Sequence, residues 1–81
     1  MSKQHNVSNI DFHGEWIILS VDEKTYQIPI DQASKRLAQA TDIERKMYRI
    51  SPSGYGIHWY AIDEDLTIQG LIKLAEISKT A

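Results

Sequence analysis

Apolar and polar residues alternate in the first third of the chain, and this period of two is typical of β-strands. The alternation predicts a weak strand over residues 7–12 and a stronger one over residues 16–21. Both faces of the second strand are largely apolar, which favours a central position in a sheet. A third strand, residues 25–30, follows the turn Asp22-Glu23-Lys24. Because proline has no amide donor, we expect this strand either to end at Pro29 or to lie at a sheet edge.

Helical spacing replaces the alternation in the middle of the chain. An apolar stripe follows Asp31, which occupies an N-cap position. The stripe consists of Ala33, Leu37 and Ala40. Residues 41–44 match a capping box, in which the Thr41 hydroxyl and the Glu44 carboxylate each accept a bond from the other's backbone amide. We therefore expect a central helix after Asp31 and a separate short helix from Asp42.

A hairpin is predicted in the second half, where the alternation returns over residues 48–51 and 55–60. The turn between them contains proline, serine and glycine. Gly54 is expected to supply a left-handed turn conformation, since glycine adopts it without steric cost. Gly56 is expected to leave room for a backbone or a ring that approaches the strand closely.

The last predicted element is a C-terminal helix that begins near Thr67. With Thr67 as N-cap, Leu66 and Leu71 have the spacing of a hydrophobic staple. Its buried face would consist of Ile68, Leu71, Ile72 and Ala75. The fold class is therefore α+β: a small antiparallel sheet of two hairpins plus an N-terminal strand, packed with one central helix and a short C-terminal helix. We expect a disordered N-terminus at residues 1–6, one domain over 7–76 and a flexible C-terminus at 77–81.

Composition narrows the class of protein further. The 81 residues carry a net charge of −2 and no cysteine, so the chain forms no disulfide, thiolate zinc site or thiol nucleophile. A domain this short has a barely sufficient core, and a partner or self-association is expected to add stability. Residues 1–9 lack the apolar segment of a signal peptide, and no apolar run is long enough to span a membrane. The expected location is therefore cytoplasmic.

Charge is distributed unevenly along the chain. Residues 35–49 contain five basic and two acidic residues, whereas Asp63-Glu64-Asp65 is an acidic run. Two interpretations stay open: solvated faces that attract each other, or docking patches for a charged partner. If the basic stretch bound DNA, Arg45, Lys46 and Arg49 would contact phosphates.

Residues 54–65 contain the highest density of chemically versatile side chains. The candidate interaction surface consists of Tyr55, His58, Trp59, Tyr60, Asp63, Glu64 and Asp65. Its aromatic residues are expected to be exposed and are of the kind found at interface anchors. In the alternative interpretation, His58 is partly buried and hydrogen-bonded to a neighbour, and the acids cap the last helix. One histidine among carboxylates lacks the spacing of a metal motif, so we expect no metal and no cofactor. A chain this short has little room for an enclosed pocket, so we expect no catalytic residue. The enzymatic alternative centres on His58, Asp63 and Asp65.

Two strings of residues, 49–59 and 62–71, resemble the signature of a small bacterial family called domain of unknown function 2442. The signature runs from a glycine-rich turn through Ile57-His58-Trp59 to aspartate-glutamate-aspartate-leucine, then threonine and a glycine-leucine pair. The resemblance extends over about residues 7–72. Tyr60 departs from it, since members often carry proline there. The resemblance implies a small α+β domain with no established activity.

The resemblance also implies a mode of action. Some members carry an appended helix-turn-helix domain. Many short members resemble proteins whose genes lie beside a gene for another small protein. We therefore expect a non-catalytic protein-interaction module, an antitoxin-like or regulatory partner of a second small protein, or one that self-associates. The alternative is a DNA-binding transcriptional regulator that uses the basic patch.

Overall fold

Six strands form two antiparallel sheets of three strands each. The computed structural model describes residues 6–80. Sheet A consists of β1 (Val7–His13), β2 (Trp16–Val21) and β3 (Lys24–Pro29), in that order. Sheet B consists of β4 (Tyr48–Ile50), β5 (Gly56–Trp59) and β6 (Glu64–Thr67). The α+β class is confirmed, but the strands divide between two sheets, and β6 lies in a segment for which no strand was predicted.

Four helices accompany the sheets: α1 (Ile30–Ala33), α2 (Lys35–Gln39), α3 (Asp42–Arg45) and α4 (Ile68–Thr80). The expected central helix is split at Ser34, whose backbone is extended and whose Oγ accepts a bond from the Leu37 amide at 3.1 Å. The assignment of Asp31 as N-cap was wrong, because Pro29 occupies that position and Asp31 lies in the first turn of α1. The C-terminal helix is the longest of the four, at 13 residues, rather than short.

The strand order confirms what the pattern predicted for sheet A. β2 is central, and Pro29 ends β3 at an edge. The β2–β3 turn has positive φ at both central residues, 51° at Asp22 and 67° at Glu23. Two-residue hairpins favour this left-handed geometry because it matches the twist of the strands. Asp22 also accepts a bond from the Asn6 amide at 2.9 Å, which secures the start of β1.

The other two predicted helix starts, at Thr41 and Thr67, are confirmed. The capping box of α3 is complete, since Thr41 Oγ1 accepts from the Glu44 amide at 3.1 Å and Glu44 accepts from the Thr41 amide at 2.9 Å. At α4, Thr67 Oγ1 accepts from the Gly70 amide at 3.0 Å. These bonds satisfy backbone donors that a helix N-terminus leaves free.

The hydrophobic core joins both sheets to α2 and α4. Its buried members are Ile10, Ile17, Leu19, Val21, Ile28, Ile30, Leu37, Ile57, Trp59, Ile68, Leu71 and Ala75. Trp59 was expected on an exposed interaction surface, and that assignment was wrong because its side chain is fully buried. Its ring meets Phe12 of sheet A edge-on, with centroids 6.4 Å apart, and its Nε1 donates to the Arg45 carbonyl at 3.0 Å. Trp59 therefore holds sheet B against β1 and α3.

The ends of the chain fall partly outside the described residues. Of residues 1–6, expected to be disordered, residues 1–5 lie outside that range, as does residue 81. Asn6 lies within it and is bonded to Asp22. Residues 77–80, expected at the flexible C-terminus, belong to α4. Within residues 6–80, no helix combines the length and apolar character needed to cross a bilayer.

Candidate interaction surface

One row of side chains crosses the three strands of sheet B. Arg49 of β4 is paired with His58 of β5, and His58 is paired with Asp65 of β6. Directly paired residues of antiparallel strands point to the same face, so the three form a single row. Trp59, the next residue along β5, points to the opposite face and into the core. The row therefore lies on the outer face of sheet B.

Contacts between neighbouring side chains orient this row. His58 Nδ1 lies 2.8 Å from Asp65 Oδ1, although the two side chains are 41% and 77% exposed. The Arg49 guanidinium carbon lies 5.8 Å from the centroid of the Tyr60 ring, a cation–π contact. Tyr60 is itself half exposed. We define the outer face of sheet B by these four residues, which combine a cation, an imidazole, a carboxylate and an aromatic ring.

The β5–β6 turn that supports this face is fastened to α2. Arg36 Nη1 donates to the Asp63 carbonyl at 2.9 Å and to the Ile62 carbonyl at 3.3 Å. Ser34, which is buried, donates to Glu64 Oε2 at 2.5 Å. Neither contact was predicted, because the partners lie 26 to 30 residues apart in sequence and no local pattern connects them.

Two glycines have the roles predicted for them. Gly54 has a φ of 70° and donates to the Ser51 carbonyl at 2.9 Å, so it supplies the left-handed turn conformation. At Gly56, an added Cβ would lie only 3.0 Å from the Leu66 carbonyl oxygen. A side chain there would push against the backbone of β6, so glycine allows the two strands to pair closely.

The acidic run does not form one surface. Asp65 points outward beside His58, whereas the Glu64 side chain turns to the buried Ser34. Asp63 is exposed in the turn, with a φ of 54°. The interpretation of His58 as bonded to a neighbour is confirmed, but two of the acids, expected to cap the last helix, lie in β6. Of the other predicted surface residues, Tyr55 is 67% exposed in the β4–β5 loop.

The structure does not bring the three predicted DNA-contacting residues together. The Arg45 guanidinium donates to the Leu37 carbonyl at 3.0 Å and the Ala38 carbonyl at 3.2 Å, and it stacks 5.6 Å from the Phe12 ring centroid. Lys46 is exposed beside an open groove of about 650 Å³ that Asp11 and Asp42 also line. Arg49 lies instead on the outer face of sheet B.

The metal-ligating side chains of the described residues do not form a cluster. Within residues 6–80, no three histidine, aspartate or glutamate side chains lie close enough together to hold a metal ion. The His58–Asp65 pair supplies two such groups on an open face. What the arrangement offers is a set of exposed, mutually oriented polar and aromatic groups.

The fold and this surface define a class: a small α+β domain with two three-stranded antiparallel sheets, one of which carries a charged row on its outer face. The chain belongs to the family described as "Protein of unknown function (DUF2442)", which it matches over residues 7–76. This match confirms the resemblance seen in the sequence. Neither a curated protein nor a solved structure matches the chain.

Proposed function

We propose that this protein is a non-catalytic protein-interaction module that docks through the outer face of sheet B. The observation that carries the proposal is that Arg49, His58, Tyr60 and Asp65 are solvent-accessible, yet held in place by contacts with one another. Tyrosine and arginine are enriched among the residues that dominate binding energy at interfaces. Side chains that are already oriented lose less conformational entropy when a partner binds.

The openness of the face supports binding rather than catalysis. A histidine hydrogen-bonded to an aspartate could act as a general base. However, the His58 and Asp65 side chains are 41% and 77% exposed. Active sites strengthen their electrostatic interactions by excluding water, and an exposed pair gains little of that effect. A partner that covers the face fits this exposure better than a small substrate.

The partner we propose is a second small protein, for which this chain acts as an antitoxin-like or regulatory component. The small number of buried side chains supports the idea that a partner adds stability, since short domains bury a lower share of their surface. The bacterial origin implied by the family resemblance and the cytoplasmic location expected from the polar residues 1–9 belong to the same proposal.

Co-expression tests this proposal. A tagged copy of the chain is co-expressed with the product of the neighbouring gene, and the amount of that product retained on purification is measured. Tyr60→Ala should weaken retention by about tenfold or more, because loss of an anchor of this kind costs ~2 kcal/mol. Trp16→Ala is the matched control, since Trp16 is 43% exposed but lies on sheet A. Equal retention by the wild type and Tyr60→Ala, or no retained partner at all, would overturn the proposal.

DNA binding is the weaker proposal. Its support is that Lys46 and Arg49 are exposed. Arg45 is bonded to two carbonyl groups, and Asp11 and Asp42 line the groove beside Lys46. A mobility-shift assay at low salt on its own promoter decides the matter, because phosphate contacts are strongest there. No shift at micromolar protein would remove this alternative.

A further inference from the structure

The row on sheet B carries opposite charges at its two ends. Arg49 on β4 and Asp65 on β6 flank His58 on the central strand. Neighbouring strands lie about 4.8 Å apart, which places the ends of the row roughly 10 Å from each other. When sheet B of a second copy packs face to face on this one, the positive end of each row can lie opposite the negative end of the other.

We propose that the outer face of sheet B pairs with the same face of a second copy of this chain, about a two-fold axis parallel to β5. This rests on the proposed function of that face as a docking surface, and the second copy competes for it with the second small protein. The rotation keeps β5 over β5 and exchanges β4 with β6. Arg49 of each copy then faces Asp65 of the other, which is the reciprocal pattern of an isologous interface.

Charge selects this axis over the alternative. A two-fold axis that runs across the strands would place Arg49 over Arg49 and Asp65 over Asp65, and like charges at an interface are costly. With the axis along β5, two opposite-charge pairs form instead. The Asp65 carboxylate can serve both contacts, since Oδ1 lies against His58 and Oδ2 can accept from the second copy's arginine.

Small residues beside the row allow the two sheets to approach. Gly56 and Thr67 are paired on the same face, next to His58 and Asp65 along their strands. The Ser51 amide donates to the Gly56 carbonyl at 2.9 Å, which continues the pairing of β4 with β5. Packed sheets lie about 10 Å apart, a distance that the long Arg49 side chain can bridge.

The outer face of sheet B is small for a stable protein–protein interface. Stable complexes bury about 800 Å² on each partner, against a total accessible surface of 5757 Å² for this chain. The three strands of sheet B contain only three or four residues each. At about 3.4 Å per residue and about 4.8 Å between strands, the outer face offers less than this area. We therefore expect a dimer with a dissociation constant in the micromolar range.

Analytical ultracentrifugation of the full chain at low salt, from about 5 to 500 μM to bracket a micromolar constant, tests the proposal. The wild type should show a monomer–dimer equilibrium. Arg49→Asp and Asp65→Arg should each weaken it by about tenfold or more, since each sets like charges opposite one another. A 1:1 mixture of the two variants should restore association as a heterodimer, because one copy then carries two aspartates and the other two arginines.

Control experiments distinguish a loss of self-pairing from misfolding and from a loss of binding to the second small protein. Lys46→Asp makes the same charge change as Arg49→Asp away from the face and should leave association unchanged. Far-ultraviolet circular dichroism checks that each variant is folded, and Arg49→Gln replaces any that is not. A monomeric wild type, or no recovery in the mixture, contradicts the self-pairing. If Tyr60→Ala still releases the co-expressed small protein, the proposed function stands without it.

Discussion

His58 and Asp65 face each other across β5 and β6, with Nδ1 and Oδ1 2.8 Å apart on the open side of sheet B. Because both side chains are exposed, water screens their attraction, and pairs of this kind contribute about 1 kcal/mol or less to stability. Trp59, the adjacent residue, is fully buried. One strand therefore presents binding groups to solvent on one face and supports the core with the other.

Replacing His58 separates a binding role from a structural one. We expect His58→Ala to lower the free energy of unfolding by about 1 kcal/mol or less, because only an exposed pair is lost. Binding of the partner should fall in the same variant. Urea denaturation and co-purification measure the two effects. A large loss of stability would show that His58 supports the fold instead.

Replacing Trp59 should mainly lower the stability of the fold, in contrast to replacing His58. Trp59→Ala removes a buried ring and its bond to the Arg45 carbonyl, and truncations of this kind cost about 3–5 kcal/mol. That is a large fraction of the stability of a small domain. We expect a strongly lowered urea midpoint or a chain that no longer folds. A midpoint equal to that of the wild type would contradict the burial of this ring.

The bond between Ser34 and Glu64 should couple α2 to β6. Ser34→Ala leaves the Leu37 amide without its cap and Glu64 without its donor, which we expect to cost about 1–3 kcal/mol. In a double-mutant cycle with Glu64→Ala, the two losses should be less than additive, since both variants break one contact. Thermal unfolding of the four proteins measures this coupling. Full additivity would mean that the two side chains act independently.

The close approach at Gly56 can be tested by adding one methyl group. Gly56→Ala places a Cβ 3.0 Å from the Leu66 carbonyl oxygen, so the backbone of β6 must shift by a few tenths of an ångström. We expect a destabilisation of about 1–3 kcal/mol, typical of overpacking. Ser53→Ala, in the exposed turn of the same hairpin, is the control and should change little. An unchanged melting temperature for Gly56→Ala would contradict the observed strand spacing.

Local patterns predicted much of the fold. The alternation at residues 16–21 and the capping box at Thr41 depend on near neighbours, and both were confirmed. The split of the central helix was missed because the Ser34 side chain both caps α2 and bonds to Glu64, far along the chain. β6 was missed because two of its four residues are acidic, and acidic side chains are depleted in strands.

The candidate site was predicted in part. Alternation correctly placed His58 and Trp59 on opposite faces of one strand, but it could not say which face would be covered. Trp59 is buried in part by Phe12 of β1, a residue distant from it in the sequence. The Arg49–His58–Asp65 row depends on the register of three strands, and no local signal in the sequence specifies that register.

We propose the outer face of sheet B as the docking surface of this protein. A titration of the ¹⁵N-labelled chain with the co-expressed small protein, followed by amide chemical shifts, tests it most directly. We expect the largest changes at Arg49, His58, Tyr60 and Asp65. Changes confined to Lys46 and the groove between β1 and α3, with the sheet B amides unmoved, would contradict it.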